Sequence, residues 1–287
     1  MSGPVQRMRR GSLAMRLAGM SGRRRALGVG VAIVVLAAAA VGVAVGVAHS
    51  GGDGQRGDAA GSEQQAGPAQ NRPGPVLLVP GYGGSTASLD VLAGQIRATG
   101  RTAIVVQLPG TGTGSLVGDA AVLNSDVNSA MADGAPSVDV IGYSAGGVVA
   151  LIWARQDDGV QKARRIITLG SPFHGTSLAA AAQAFVPGAC PVACQQLTPG
   201  SSLLANLDVG SPAGLPHWLS LWTTDDQVVT PPDSARLAGA IDVPVQSVCP
   251  AVSISHSQLP TNPDVTAIVL QALSAAPLRP PTSADCR

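Results

Sequence analysis

Residues 139–155, DVIGYSAGGVVALIWAR, run from a short apolar stretch through a serine flanked by glycines into a second, longer apolar stretch. The first part is Val/Ile-rich and short, as a buried strand is, and the second has the length of a helix. Gly142, Ser144 and Gly146 form a G-x-S-x-G pattern at the join. A strand that turns sharply into a helix strains the residue at the corner, so its neighbours must lack bulk, and the corner hydroxyl is thrust out above the strand ends. The first amides of the helix behind it supply partial positive charge where an oxyanion would form.

The same rhythm extends to both sides. PVLLVP (75–80), TAIVVQLP (102–109), SVDVIGY (137–143), RIITLG (165–170), WLSLWT (218–223) and VPVQSV (243–248) read as strands buried on both faces. Residues 86–100, 118–134 and 145–159 read as helices, each ending in glycine. Strands alternating with helices of this length predict an α/β domain with a mainly parallel sheet flanked by helices, over residues 76–287. Residues 176–216 interrupt the rhythm with small and apolar side chains. They read either as a lid or cap bordering an acyl pocket or as a cover on the sheet, two roles the sequence does not separate.

The N-terminal quarter is different in kind. Residues 1–25 carry seven arginines and no acidic residue. Residues 26–48 are 23 uncharged, apolar positions, long enough as a helix to cross a hydrocarbon layer of roughly 30 Å. The basic flank predicts a cytoplasmic N-terminus and an exported remainder, anchored as a single-pass protein in the cell membrane. The alternative is secretion after signal cleavage near AHS at 48–50, and SGRRRAL at 21–27 faintly resembles a twin-arginine signal. Residues 49–75 are rich in Gly, Ala, Gln and Pro and read as a disordered, flexible linker. Beyond the arginine cluster 11 basic side chains face 17 acidic ones, and aromatics are scarce. That balance gives no surface for a phosphate backbone and no platform for bases, so nucleic acid is excluded as a partner.

A serine alcohol needs a base, and the chain holds only four histidines. In sheet enzymes built on this elbow the chain order is Ser, then Asp or Glu, then His. His256 follows every strand and is the expected base; His174 and His217 read as loop or lid residues, and His49 as part of the linker. The orienting acid should stand just past a strand end, where TTDDQVV places Asp225 and Asp226. The spacing to Val228 and Val229 favours Asp226, with Asp225 as its substitute. The expected oxyanion donors are the main-chain amides of Ala145 and of Tyr82, the latter in the glycine-rich loop VPGYGGS (79–85). That loop is not a dinucleotide fingerprint, because Thr86 stands where the last glycine should be. PGTGTGS (109–115) lacks the Lys-Ser/Thr ending of a phosphate loop and reads as a mobile rim.

Taken in order, VPGYGG, VIGYSAGG, ITLGSPFHGT, TTDDQVV and SHSQLP resemble the motifs of secreted bacterial lipases of the small triacylglycerol-lipase type, within the α/β-hydrolase superfamily. The resemblance spans about residues 75–275. It implies an α/β-hydrolase fold and a triad of Ser144, Asp226 and His256, with Tyr82 and Ala145 forming the oxyanion hole. One departure is Pro80-Gly81 in place of the His-Gly common in the first loop.

Four cysteines allow three pairings, of which Cys190 with Cys194 and Cys249 with Cys286 is expected. No metal motif is visible and no cofactor is expected. The reading is a serine carboxyl-ester hydrolase acting outside the cytoplasm on a lipid or small ester substrate. Its alternatives are an acyltransferase using the same acyl-enzyme and an inactive membrane-tethered binding module. The sequence leaves acyl chain length and oligomeric state open.

Overall fold

Four consecutive apolar side chains, Val76–Val79, form strand β1 and are fully buried. Alternation along the strand explains how all four can be inside. Leu77 and Val79 face one core together with Leu123, Val127, Val148 and Trp153, while Val76 and Leu78 face a second core with Leu89, Ile96 and Ile268. β1 is therefore sandwiched between two layers of helix. Trimming such a side chain to alanine costs about 2–5 kcal/mol.

The computed structural model describes residues 67–207, 209–210 and 215–287. The basic stretch 1–25, the apolar segment 26–48 and the linker up to residue 66 lie outside the described residues. Among the described residues no helix is long and apolar enough to cross a membrane.

After β1 come α1 (Ala87–Ala98), β2 (Ala103–Val105), α2 (Leu116–Ala132), β3 (Val138–Tyr143), α3 (Ala145–Gln156), the single turn α4 (Gly159–Lys162) and β4 (Ala163–Leu169). A helical excursion follows: α5 (Ser177–Phe185), a 3-10 turn at Pro187–Ala189, α6 (Val192–Gln196) and α7 (Ser202–Asn206). The chain returns through β5 (His217–Trp222), β6 (Ile241–Pro244), α8 (Val245–Val248) and α9 (Pro263–Ala272). The six strands lie in the order β2-β1-β3-β4-β5-β6 and every pair is parallel. The order reverses between β1 and β3, which opens a crevice at the carboxyl ends of those two strands.

Two expectations need correction. The stretch 243–248 is not one strand, because β6 ends at Pro244 and 245–248 wind into α8. Proline cannot donate to the ladder, and its fixed φ suits the entry to a helical turn. The linker expected to run to residue 75 also stops short. Gln70 receives Arg164 on its carbonyl oxygen at 2.9 Å and Arg165 on Oε1 at 3.0 Å, and the Arg72 carbonyl receives Ser137 Oγ at 3.0 Å, so 67–75 pack along the domain.

The arginines concerned form a buried cluster at the amino end of the sheet. Arg164 binds both oxygens of Asp139, at 2.9 and 2.5 Å, and Arg101 reaches the same carboxylate at 2.7 Å. Besides Gln70, Arg164 binds the carbonyls of Leu273 and Ser274, and Arg165 binds those of Ala272, Ser274 and Ala276. These oxygens belong to the last turn of α9 and the chain just beyond it, where intrahelical donors run out. At its other end α9 starts with Pro263 and the Asn262 side chain, which accepts the amides of Asp264 and Val265 at 2.9 and 3.2 Å.

Candidate active site

Ser144 stands between β3 and α3 with φ 53° and ψ −125°, a conformation disfavoured for any residue but glycine. The elbow is held because its surroundings leave no room for bulk. A methyl group on Gly142 would come within 2.5 Å of Gly147 Cα, and one on Gly146 would run into the carbonyls of Val79 and Pro80. The Ser144 amide donates to the Leu169 carbonyl at 2.8 Å, fixing the corner to β4. The hydroxyl is thereby presented at the crevice where the strand order reverses.

His256 opens a 3-10 turn, His256–Gln258, and is buried. A reciprocal cap shapes that turn: the Ser255 amide donates to Gln258 Oε1 at 2.9 Å and the Gln258 amide to the Ser255 carbonyl at 3.1 Å. The imidazole Nε2 lies 2.9 Å from Ser144 Oγ and Nδ1 lies 2.7 Å from Asp226 Oδ2. Asp226 follows β5 and is buried. Its other oxygen, Oδ1, accepts the amides of Val228 and Val229 at 2.9 and 2.8 Å. Both oxygens are thus committed, and the carboxylate accepts a proton-bearing Nδ1 while Nε2 is left to accept from the serine.

Asp225 has other work. Its Oδ2 accepts Ser253 Oγ at 3.0 Å and its amide donates to Thr223 Oγ1 at 3.1 Å. His174 turns Nδ1 toward the Ser234 carbonyl at 3.1 Å and borders a separate cavity with Asp242 and Arg236. His217 begins β5, at the far end of the strand from Asp226. The three residues singled out by spacing are brought together, and their nearest rivals are not.

Ala145 occupies the first position of α3, where an amide has no acceptor within its own helix. Tyr82 and Ser144 border one cavity of about 180 Å³, whose other walls are largely apolar, among them Leu178, Ala182, Leu197 and Val229. The loop that carries Tyr82 is braced: the Gly83 amide donates to the Gly112 carbonyl at 3.1 Å and the Gly84 amide to the Gly81 carbonyl at 3.0 Å. Gly112 belongs to the stretch 109–115 read as a mobile rim; here it buttresses the first glycine loop.

Four residues shape the site that no spacing argument singled out. Gly170, with φ 59°, passes so close that a methyl group on it would lie 2.7 Å from Leu259 Cδ1 and 3.1 Å from His256 Nδ1. Tyr143 lies with its ring 5.2 Å from the imidazole, and burial, followed by the nearby Asp226 charge, pushes its phenol up to about 12. Thr223, fully buried, donates to the Ile254 carbonyl at 2.8 Å and accepts Gln246 Nε2 at 2.7 Å, while Gln246 Oε1 accepts the Thr224 amide at 3.1 Å. The glycine of TLGSP is visible in the sequence as a motif member, but its approach to the imidazole is a tertiary fact.

Both expected disulfides are present, Cys190–Cys194 with Cα atoms 5.2 Å apart and Cys249–Cys286 with 5.9 Å.

No family model matches the sequence, and no curated protein is similar to it. Solved structures are similar in fold. Lipase B of Aspergillus fumigatus superposes with a TM-score of 0.60 at 20% identity, over 73% of this chain and 54% of that one. The mature form of the Bacillus licheniformis lipase BlEst2 gives 0.58 at 17% identity, over 73% of this chain and 93% of that one. Its propeptide form gives 0.59 at 18%, over 76% of this chain and 52% of that one. The chain thus spans about half the length of two of these structures. At such identities the likeness is one of architecture, and it defines an α/β-hydrolase fold with a parallel six-stranded sheet.

Proposed function

We propose that this protein is a serine carboxyl-ester hydrolase of the lipase/esterase type. The observation that carries the reading is the bridge formed by His256, 2.9 Å from the Ser144 hydroxyl and 2.7 Å from the Asp226 carboxylate. In this reading Nε2 takes the proton as Ser144 Oγ attacks the ester carbonyl carbon, and the tetrahedral oxyanion accepts hydrogen bonds from the amides of Ala145 and Tyr82. The imidazolium, stabilised by Asp226, returns the proton to the departing alcohol. Water then enters, gives a proton to Nε2 and releases the acid from the acyl-enzyme. The apolar walls beside Ser144 support an acyl ester as substrate.

Two disulfides support a catalytic domain that works in an oxidising compartment outside the cytoplasm. Together with the basic residues 1–25 and the apolar residues 26–48, they fit export with membrane attachment through that segment.

The test is covalent. A fluorophosphonate probe is expected to label wild type on Ser144 and to leave Ser144→Ala unlabelled and inactive on p-nitrophenyl esters. Equal labelling and equal turnover in the two proteins would overturn the reading.

A further inference from the structure

We propose that the excursion from α5 to α6 is a fixed wall rather than an opening lid, and that it limits the acyl group to short chains, about six carbons long. The inference rests on the ester-hydrolase reading and deepens it.

The cavity beside Ser144 is the place for the acyl chain because of what its walls omit. The departing alcohol must stay beside His256, which protonates it. His256 and its turn lie outside this cavity, whereas Ser144 and Tyr82 stand at its mouth. A group extending from the carbonyl carbon into the cavity therefore points away from the imidazole, as an acyl chain does.

The size follows from the volume of about 180 Å³. An apolar protein cavity of about 150 Å³ admits benzene, a six-carbon ligand. The cavity is open on one side, so a chain of twelve carbons overruns its apolar walls and leaves about half of its length in water.

The walls are tied from several directions. Thr176, just before α5, donates through Oγ1 to the Val228 carbonyl at 2.6 Å and accepts the Thr230 amide at 3.2 Å. Thr198 Oγ1 donates to Gln183 Oε1 at 2.7 Å, joining the end of α6 to α5. On α6 the Gln196 Oε1 accepts the Leu116 amide at 2.8 Å and the Ala193 amide donates to the Thr113 carbonyl at 3.2 Å. Cys194, itself in the cavity wall, is bonded to Cys190. The excursion is thus held by its own disulfide, by the start of α2 and by the loop after Asp226, and its exposed edge at 183–189 lies between these ties. Ala179 and Ala182, one helical turn apart on α5, are two of the three alanines of the wall, so the depth of the cavity on the α5 side depends on them.

The experiment compares kcat/KM of the full-length protein on monomeric p-nitrophenyl acetate, hexanoate and dodecanoate. Hexanoate is expected to exceed dodecanoate tenfold or more. Ala182→Leu, which adds three carbons to the wall at a half-buried helix position, is expected to lower the hexanoate-to-acetate ratio tenfold or more, since a methylene in an apolar pocket is worth about 10–200-fold. The ratio is independent of the fraction of active protein, so partial misfolding does not mimic the effect. A wild type that prefers dodecanoate, a jump in dodecanoate turnover when that ester aggregates, or a ratio unchanged in Ala182→Leu would each overturn the proposal while leaving ester hydrolysis intact. Absence of turnover on all three esters would remove the hydrolase reading itself, and the proposal with it.

Discussion

The Thr223 hydroxyl donates to the Ile254 carbonyl at 2.8 Å and thereby ties the turn that carries Asp226 to the loop that carries His256. Gln246, in the helical turn after β6, locks the hydroxyl from its other side at 2.7 Å. Asp226 and His256 lie 30 residues apart in sequence, so their register depends on a tie of this kind. Thr223→Val keeps the shape but leaves a buried carbonyl, a glutamine amide and the Asp225 main-chain amide without their partner. It is expected to cost about 1–3 kcal/mol in urea unfolding and to lower kcat more than it raises KM. Thr223→Ser is expected to restore both, which a loss of packing alone would not allow.

The separation of Asp225 from Asp226 predicts a sharp contrast between two conservative changes. In Asp226→Asn the amide group presents a donor to Nδ1 and favours the imidazole tautomer that cannot accept the serine proton. A drop in kcat on the order of 10⁴-fold is expected. Asp225→Asn loses only a contact with Ser253 and is expected to stay within a fewfold of wild type. Steady-state rates on one soluble ester decide it, and similar losses in the two variants would contradict the assignment of roles.

What the sequence made legible was local or ordered along the chain. The elbow at 142–146 is visible because glycine spacing and the switch from strand to helix lie within one short window, and the chain order Ser-Asp-His then narrows four histidines to His256. The parts that escaped are tertiary. Gly170 matters because β4 ends against the imidazole, and Thr223 because two loops meet there. The misread strand at 243–248 shows the same limit, since an apolar run looks alike in a strand and in a buried helical turn until Pro244 breaks the ladder.

Asp139 illustrates a charge hidden inside an apolar strand. It lies fully buried in β3, bound by Arg164 and Arg101, and the same arginines hold the carbonyls at the end of α9. Removing one partner strands the other charge away from water. Asp139→Ala is expected to lose about 3–5 kcal/mol of stability, read as a lower urea midpoint, whereas a surface change such as Asp90→Ala is expected to stay within about 0.5 kcal/mol.

Tyr143 gives the site a titration signature of its own. Its phenol is raised to about 12 by burial and by the Asp226 charge, against an ordinary value near 10. The folded state therefore holds the phenolic proton through a range in which the unfolded chain has begun to release it. Net proton release on unfolding means that stability falls as pH rises through that range, at up to about 1.4 kcal/mol per pH unit for one group. Wild type is expected to lose stability relative to Tyr143→Phe between about pH 10 and 12 and to match its pH dependence below that. Because the chain has only two tyrosines, the Tyr82→Phe variant isolates the group spectroscopically. Its tyrosinate absorbance is expected to rise with a midpoint about 12; a midpoint near 10 would show that the phenol is hydrated and not buried.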